Sequence, residues 1–162
     1  MEKNNKKIVI FDLDETVIDS SHRTPNNPDG TLNLNKYFEL KNRENIFKDS
    51  LLPLAAKMKE LYASGEYHVV ICTARHMDEN DFDFLEHHGL KYHEIFERGN
   101  VRKAHHYNLP DAEYKTKMLK KYKNTPYTFF DDARPVVDTF STYPNVHMVD
   151  STEANSEIQI AV

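Results

Sequence analysis

The sequence has little of what several classes of protein require. Its 162 residues include a single cysteine, Cys72, so no disulfide can form within the chain, and a reducing compartment is expected. The apolar runs are much shorter than the roughly 18 residues of a membrane-spanning helix. The first residues, MEKNNKK, lack the apolar segment of a signal peptide. We therefore expect a cytoplasmic protein that does not contact a membrane.

An excess of positive charge is also missing. The chain has 21 Lys and Arg against 26 Asp and Glu, for a formal net charge of −5. This balance excludes a global basic field that would hold nucleic acid regardless of its sequence, although local basic patches remain open. The length suits one domain, residues 1–162, with a sizeable core. No obligate protein partner is evident from the sequence.

What the sequence does contain is an alternation of apolar runs and helical patterns. The apolar runs predict strands at residues 8–11, 67–73, 92–97, 127–130 and 146–149. Periodic or capped segments predict helices at residues 50–64, 78–88, 111–122 and 134–140. This order predicts a single α/β domain, a Rossmann-like parallel sheet with helices on both faces. We expect a tight turn or a short helical segment at residues 15–20 and a loosely held tail from Ser151.

Two segments do not fit the alternation. Residues 21–48 begin with the loop formers HRTPNNPDGTL and continue without a clean period, so we interpret them as an insertion that folds over the sheet edge. Residues 98–110 form a second loop, rich in Arg, Lys, His and Asn.

Two carboxylates follow the first apolar run, in IVIFDLDET. Ligands of open α/β sheets bind beyond the carboxyl ends of the strands, which is where Asp12 and Asp14 would lie. Two aspartates there repel each other unless a cation or a proton compensates, and a hard divalent metal is the simplest solution. A lone D-x-D pattern is more often a helix cap or a surface turn, so further signals have to support this interpretation.

Chemically useful side chains also follow the later strands. A hydroxyl and a guanidinium end the run VVICTAR, a lysine lies near the start of the helix predicted from residue 111, and two carboxylates end YTFFDD. Each signal is weak alone. The residues are Thr73, Arg75, Lys115 (with Lys117 as the alternative), Asp131 and Asp132.

In this order the four motifs resemble those of the haloacid dehalogenase-like (HAD) phosphohydrolases. That family has D-x-D-x-[TV], a Ser or Thr at a strand end, a Lys or Arg at a helix start, and an acidic motif after another strand. The resemblance implies the HAD-like fold, with residues 21–48 as a small cap or flap. It also implies hydrolysis of phosphomonoesters, since an aspartate in the place of Asp14 distinguishes the phosphatases from the dehalogenases.

The resemblance assigns catalytic roles residue by residue. Asp12 would attack phosphorus and form an aspartyl-phosphate, and Asp14 would act as general acid and then base. Thr73 and Lys115, together with Arg75, would hold the phosphoryl oxygens.

The same resemblance implies a Mg²⁺ cofactor. Its ligands would be the Asp12 side chain, the Asp14 backbone carbonyl and one carboxylate of the last motif. We favour Asp131, because it leaves the strand first, and keep Asp132 as the alternative.

A closer resemblance is to the 3′-phosphatase domains of bacteriophage polynucleotide kinase-phosphatases. It is carried by VVICTAR, by ERGNVRK followed by DAEYKTKML, and by FFDDARPVVD. It implies removal of 3′-phosphates from nucleic-acid ends, with residues 98–110 as a substrate loop. The substrate-binding residues would be Thr16, Arg75, Arg98, Arg102 and Lys103, with His105 and His106 near the substrate backbone and Tyr37, Phe38 or Tyr107 as stacking surfaces for a base.

Three alternatives remain. A 5′- or 3′-mononucleotidase would have the same motifs, and a small flap would suit its small substrate. A protein phosphatase is disfavoured, because Asp131-Asp132 stands where those enzymes carry Asp-Asn. A phosphate-binding protein without turnover is disfavoured by the complete set of catalytic residues.

Overall fold

The computed structural model describes residues 6–99 and 109–161. Its strands are β1 (Lys7–Phe11), β2 (Ile18–Asp19), β3 (Ser50–Leu51), β4 (Tyr67–Cys72), β5 (Glu94–Phe96), β6 (Tyr127–Asp131) and β7 (Val146–Asp150). Its helices are α1 (Leu34–Leu40), α2 (Arg43–Ile46), α3 (Leu54–Ser64), α4 (Glu79–His87), α5 (Asp111–Met118), α6 (Arg134–Phe140) and α7 (Ser151–Ala161). Short 3₁₀ turns lie at Ser21–Arg23 and Leu119–Tyr122.

Five strands form one parallel sheet in the order β5-β4-β1-β6-β7. The chain runs outward from β1 to β4 and β5, then crosses to β6 and β7 on the other side. The strand order therefore reverses between β1 and β6. Open α/β sheets bind their ligands beyond the carboxyl ends of the strands at such a reversal.

Alternate side chains of the strands supply two hydrophobic cores. Val9 and Phe11 face the core that α3 and α4 cover, whereas Ile10 faces a second core covered by α6 and the turn Leu119–Tyr122. Both faces of β1 are buried, which explains its unbroken apolar sequence. The predicted fold class, a parallel α/β sheet with helices on both faces, is confirmed.

Local boundaries differ from the sequence-based prediction in two places. Residues 50–51, predicted to begin a helix, pair antiparallel with residues 18–19 as β3, so α3 begins only after Pro53. The tight turn expected at residues 15–20 is present at residues 15–17, and residues 18–19 continue as β2. Gly65 ends α3 with a φ of 73°, as its position in the sequence predicted.

The prediction of a loosely held tail is wrong, because residues 151–161 form the helix α7. Ala154 and Ile158, one turn apart, pack against the first core. The Asn155 side chain accepts a hydrogen bond from the Leu54 N–H (2.8 Å) and donates one to the Thr16 carbonyl (2.9 Å). The tail is thus bound to the segment that follows β1.

Residues 21–48 contain the first 3₁₀ turn, α1 and α2. Ile46 is fully buried in the first core, and Phe47 packs edge-on against Phe84 of α4. Two ion pairs fasten the same segment to α4 and the residue that caps it: Lys41 Nζ to Asp78 (2.9 Å) and Arg43 Nη1 to Asp83 (2.8 Å). The segment is therefore anchored on the sheet through α4.

Of the helices in residues 6–99 and 109–161, none has the length and apolar character needed to cross a membrane.

Because α7 is anchored through Asn155, we expect a substitution of this residue to lower the stability of the fold. Asn155→Ala is expected to lower the free energy of unfolding by about 2 kcal/mol, because it leaves a buried N–H and a buried carbonyl without partners. Urea denaturation of the two proteins measures this difference. Ser156→Ala, on the exposed side of the same helix, is the matched control and is expected to change stability little. A null effect of Asn155→Ala would contradict the anchoring of α7.

Candidate active site

Three carboxylates meet where β1 and β6 end. Oxygen atoms of Asp12, Asp131 and Asp132 lie within 4.8 Å of one another. Asp131 is fully buried and Asp12 is 5% exposed. The Asp12 N–H donates to the Phe130 carbonyl (3.0 Å), which joins the ends of the two strands and fixes this approach.

A buried ammonium group lies among these carboxylates. Lys115 is fully buried on α5, one turn from the start of that helix. Its Nζ donates to Asp131 Oδ2 (2.6 Å) and Asp12 Oδ1 (3.0 Å), and it lies 3.2 Å from Asp111 Oδ1. Lys117 is exposed, so the structure brings the preferred of the two predicted lysines to the site.

One ammonium does not balance the carboxylates around it. Burial, together with the charge of Asp131, raises the pKa of Asp12 well above its usual value. Burial likewise raises the pKa of Asp131 to about 6, against the lowering effect of Lys115. Oxygen-only donors with uncompensated negative charge suit a hard divalent cation such as Mg²⁺, so the residues fit this metal.

The Asp12 side chain is oriented by the Thr16 hydroxyl, which in turn contacts the Ser151 hydroxyl. Thr16 Oγ1 donates to Asp12 Oδ2 (3.2 Å) and is hydrogen-bonded to Ser151 Oγ (2.9 Å). Both residues are fully buried. Ser151, the first residue of α7, was missed by the sequence analysis, although the cap-like run DSTE and the spacing of Ala154 and Ile158 could have indicated a helix there.

Asp14 points to a different set of partners. Arg75 donates to both of its oxygens, through Nη2 (2.5 Å) and Nε (3.3 Å), and Ser20 Oγ donates to Oδ1 (2.6 Å). Burial by itself would raise the pKa of Asp14, but the Arg75 charge and these hydrogen bonds lower it to about 2. Asp14 is therefore ionised at neutral pH in this arrangement.

Arg75 belongs to a buried network that the sequence analysis did not anticipate. Its guanidinium also donates to Asp81 on α4 (3.0 Å) and to Asp49 (3.5 Å). Asp49 in turn accepts two hydrogen bonds from Arg23, which is 1% exposed (3.0 and 2.9 Å). No local signal in the sequence distinguishes Asp49 or Arg23 from surface residues.

Thr73 is fully buried at the end of β4. Its Oγ1 accepts a hydrogen bond from the Arg75 N–H (3.0 Å), which shapes the turn after the strand.

A cavity of about 460 Å³ opens above the carboxylates. Its wall combines the sheet edge, the segment 21–48, and two residues on either side of the part of the chain that is not described, Arg98 and Leu109. The lining residues are Asp12, Asp14, Glu15, Ser20, Thr24, Leu32, Tyr37, Phe38, Ala74, Arg75, His76, Arg98, Leu109, Asp111, Asp132 and Ala133.

Among the predicted substrate residues, Arg98 borders the cavity, with its guanidinium 4.4 Å from the centre of the Tyr114 ring. Tyr37 and Phe38 border it as well, but Tyr37 is 7% exposed whereas Phe38 is 38% exposed. Thr16 and Arg75 lie beside Asp12 and Asp14, as described above. The remaining predicted substrate residues lie outside the described part of the chain: Arg102, Lys103, His105, His106 and Tyr107.

The excess of negative charge predicts a pH-dependent response to magnesium. With magnesium chelated, the raised pKa values of Asp12 and Asp131 let the folded protein bind more protons than the unfolded chain between about pH 4 and 6. Stability is therefore expected to fall as the pH rises through this range. Magnesium should raise the melting temperature by roughly 5 °C near pH 7.5, where protons compete less for these carboxylates, and by much less near pH 5.

Differential scanning fluorimetry with and without a chelator measures these shifts. Asp138→Asn, which removes an exposed carboxylate of α6 outside the cluster, is the matched control and should respond like the unaltered protein. Equal shifts at both pH values would contradict a metal held by this cluster.

Comparison with known proteins shows that the chain matches one protein family. The family model described as bacteriophage T5 5′-deoxynucleotidase matches residues 1–162. The 5′-deoxynucleotidase of Escherichia phage T5 is 30% identical over 177 residues, which cover 96% of this chain and 71% of the phage protein.

Solved structures give the same fold at lower identity. A chain of the Pnkp1/Rnl/Hen1 RNA repair complex superposes with a TM-score of 0.65 and 18% identity, covering 90% of this chain. This chain spans 42% of that protein, less than half of its length. A HAD-superfamily hydrolase from Geobacter sulfurreducens superposes with a TM-score of 0.59 and 14% identity, covering 94% of this chain and 99% of that one. The chain thus belongs to the bacteriophage T5 5′-deoxynucleotidase family and is a phosphomonoester hydrolase with the HAD-like fold.

Proposed function

We propose that the protein is a magnesium-dependent nucleotidase that removes the phosphate of deoxynucleoside 5′-monophosphates. The observation that carries the proposal is the buried carboxylate cluster with Lys115, at the floor of a cavity of about 460 Å³. A cavity of this volume lies within the range of small-molecule sites. Membership of the phage T5 5′-deoxynucleotidase family supports the choice of substrate.

Asp12 is the proposed nucleophile. Its carboxylate oxygen forms a bond to phosphorus as the bond between phosphorus and the leaving oxygen breaks. The leaving oxygen keeps both electrons of that bond and receives a proton from Asp14. Water then attacks the aspartyl-phosphate, Asp14 accepts its proton, and inorganic phosphate leaves with Asp12 restored. The Thr16 hydroxyl is engaged by Asp12 and Ser151, so Thr16 fits a positioning role rather than substrate binding.

Asp14 is ready for the second of these steps, because it is ionised in its contact with Arg75. To act first as an acid it has to take up a proton, which requires that contact to loosen. Arg75 is engaged by carboxylates on several sides, so we propose that it positions Asp14. Lys115 and Thr73 remain the proposed contacts of the phosphoryl oxygens.

The proposed metal ligands are the side chains of Asp12 and Asp132 and the backbone carbonyl of Asp14. Asp131 is a poorer choice, since its Oδ1 accepts from the Ala133 N–H (3.0 Å) and its Oδ2 from Lys115. Asp132 is partly exposed and borders the cavity. Bound magnesium would neutralise carboxylate charge that otherwise repels an anionic substrate.

We further propose that residues 21–48 act as the cap of a single HAD-like domain. This segment contributes Thr24, Leu32, Tyr37 and Phe38 to the cavity wall and is fastened to α4.

A second candidate is removal of phosphate from nucleic-acid ends, the activity that the sequence motifs first indicated. The observation in its favour is Arg98, which borders the cavity and begins the basic stretch of the 98–110 loop. The repair complex with a similar fold suits this reading as well.

A substrate panel distinguishes the two candidates. We expect the highest kcat/KM for a deoxynucleoside 5′-monophosphate, compared with a 3′-monophosphate and with oligonucleotides phosphorylated at the 3′ or the 5′ end. Asp12→Asn should lower phosphate release at least about a thousandfold, because it removes the nucleophile. Asp138→Asn is the control. Preference for the 3′-phosphorylated oligonucleotide would favour end repair, and turnover that survives in Asp12→Asn would refute the mechanism.

The choice between Asp131 and Asp132 has its own test. Asp132→Asn is expected to raise the magnesium concentration that gives half-maximal activity about tenfold or more, because it removes a ligand. Asp131→Asn should change this concentration less, since that side chain faces Lys115 and Ala133. Magnesium titrations of both variants decide the matter, and the reverse order would identify Asp131 as the ligand.

A further inference from the structure

Two large apolar side chains are exposed to solvent in residues 6–99 and 109–161: Leu32 (39% exposed) and Phe38 (38% exposed). Both border the cavity above the carboxylate cluster. Both also come from the segment 21–48, whose other large apolar side chains described in the fold, Ile46 and Phe47, pack in the first core. Since exposed apolar surface is unfavourable in water, its concentration at this one cavity points to a ligand that covers it.

The Phe38 ring packs against two neighbouring rings, those of Tyr37 and His76. It meets the Tyr37 ring edge-on, at 5.3 Å between centroids, and the His76 ring at 5.4 Å with 59° between the planes. Tyr37 is buried, and His76 follows Arg75 just beyond the end of β4. The aromatic wall therefore bridges the segment 21–48 and the sheet edge, close to the residues that hold Asp14.

His76 adds flat surface to this wall without adding charge. Burial, together with the nearby charges of Arg98 and Lys41, lowers the pKa of His76 to about 4, so the ring is neutral at physiological pH. A neutral imidazole beside a phenyl ring suits an aromatic ligand face better than an anionic group.

Leu32 is held by a compact loop. The Asn27 N–H donates to the Thr31 carbonyl (2.6 Å), Gly30 adopts a φ of 92°, and Leu32 forms a bridge with Asn26. Its exposed side chain is therefore presented by an ordered backbone. The cavity thus has acidic groups on its floor and ordered apolar groups on its wall.

A phosphomonoester that fills this cavity would have to match both surfaces. A sugar phosphate is polar throughout and would leave Phe38 and Leu32 without an apolar partner. A nucleotide places a phosphate at one end and the flat apolar faces of a base at the other.

We propose that Phe38 and Leu32, with His76 beside them, form a base-binding wall that determines the specificity of the enzyme for phosphomonoesters carrying a nucleobase. The proposal rests on the proposed function, since it takes a nucleotide as the substrate. It adds the residues that recognise the base, which lie apart from those that act on the phosphate.

The test compares a substrate with a base and one without. For Phe38→Ala, kcat/KM for deoxythymidine 5′-monophosphate is expected to fall about tenfold or more, mainly through KM, because a base loses its stacking surface. For the same variant, kcat/KM for 2-deoxyribose 5-phosphate is expected to stay within about twofold of that of the unaltered protein, since this substrate has no base to stack. Leu32→Ala should give a smaller loss in the same direction.

Two variants control for indirect effects. Phe38→Tyr keeps an aromatic face and is expected to retain most of the nucleotide activity. Glu39→Ala changes the neighbouring exposed residue of α1 outside the cavity lining and is expected to leave both substrates unaffected. Phe38 is partly exposed, so Phe38→Ala should fold, which circular dichroism checks.

A binding measurement separates this proposal from the proposed function. In an Asp12→Asn background, calorimetric titration with deoxythymidine 5′-monophosphate is expected to give a dissociation constant about tenfold or more higher when Phe38→Ala is added. Equal constants, or equal losses of kcat/KM on both substrates, would overturn the base-binding wall. If unaltered protein prefers deoxyribose phosphate to the nucleotide, the proposed function fails instead, whatever the Phe38 variants show.

Discussion

The contact of one buried ammonium with several carboxylates is the interaction on which the site depends. Lys115 neutralises part of the charge of Asp12, Asp111 and Asp131, and Asp132 adds further negative charge beside them. Burial, together with the remaining negative charge, raises the pKa of Asp12 and of Asp131. A carboxylate cluster of this kind repels a phosphate but attracts a divalent cation, and with the cation bound it can accept the phosphate. The same charge that disfavours folding of the metal-free protein therefore favours ordered binding of metal and substrate.

Several distant parts of the chain keep this cluster together. The reversal of strand order between β1 and β6 brings Asp12 and Asp131 to one edge, and α5 delivers Lys115 to it. The last helix then supports Asp12 indirectly, because Ser151 holds the Thr16 hydroxyl and Asn155 holds the Thr16 carbonyl. Residues near the end of the chain thus fix the side chain that we propose as the nucleophile.

The parts of the structure that local patterns determine were predictable. Buried parallel strands have unbroken apolar sequences, so the ends of β1 and β6, and with them Asp12 and Asp131, could be located. The network of Arg23, Asp49 and Arg75 could not, since it joins residues far apart in sequence, and Arg23 and Asp49 resemble surface residues when taken alone. The choice between Asp131 and Asp132 depends on how the chain turns into α6, where the Ala133 N–H binds Asp131. The sequence alone does not predict the geometry of this turn.

The residues that we propose for chemistry and for selectivity come from different segments, and Arg75 connects these segments. The core strands and α5 supply the carboxylates and the lysine, whereas the segment 21–48 supplies Phe38 and Leu32. Arg75 binds Asp14 on one side and, through Asp49, the buried Arg23 of that segment on the other. A ligand that shifts the segment 21–48 would therefore change the contacts that keep Asp14 ionised. Because the mechanism that we propose needs Asp14 protonated for the first step and ionised for the second, this connection would give base binding at the proposed wall a physical route to the proton transfer at the phosphate.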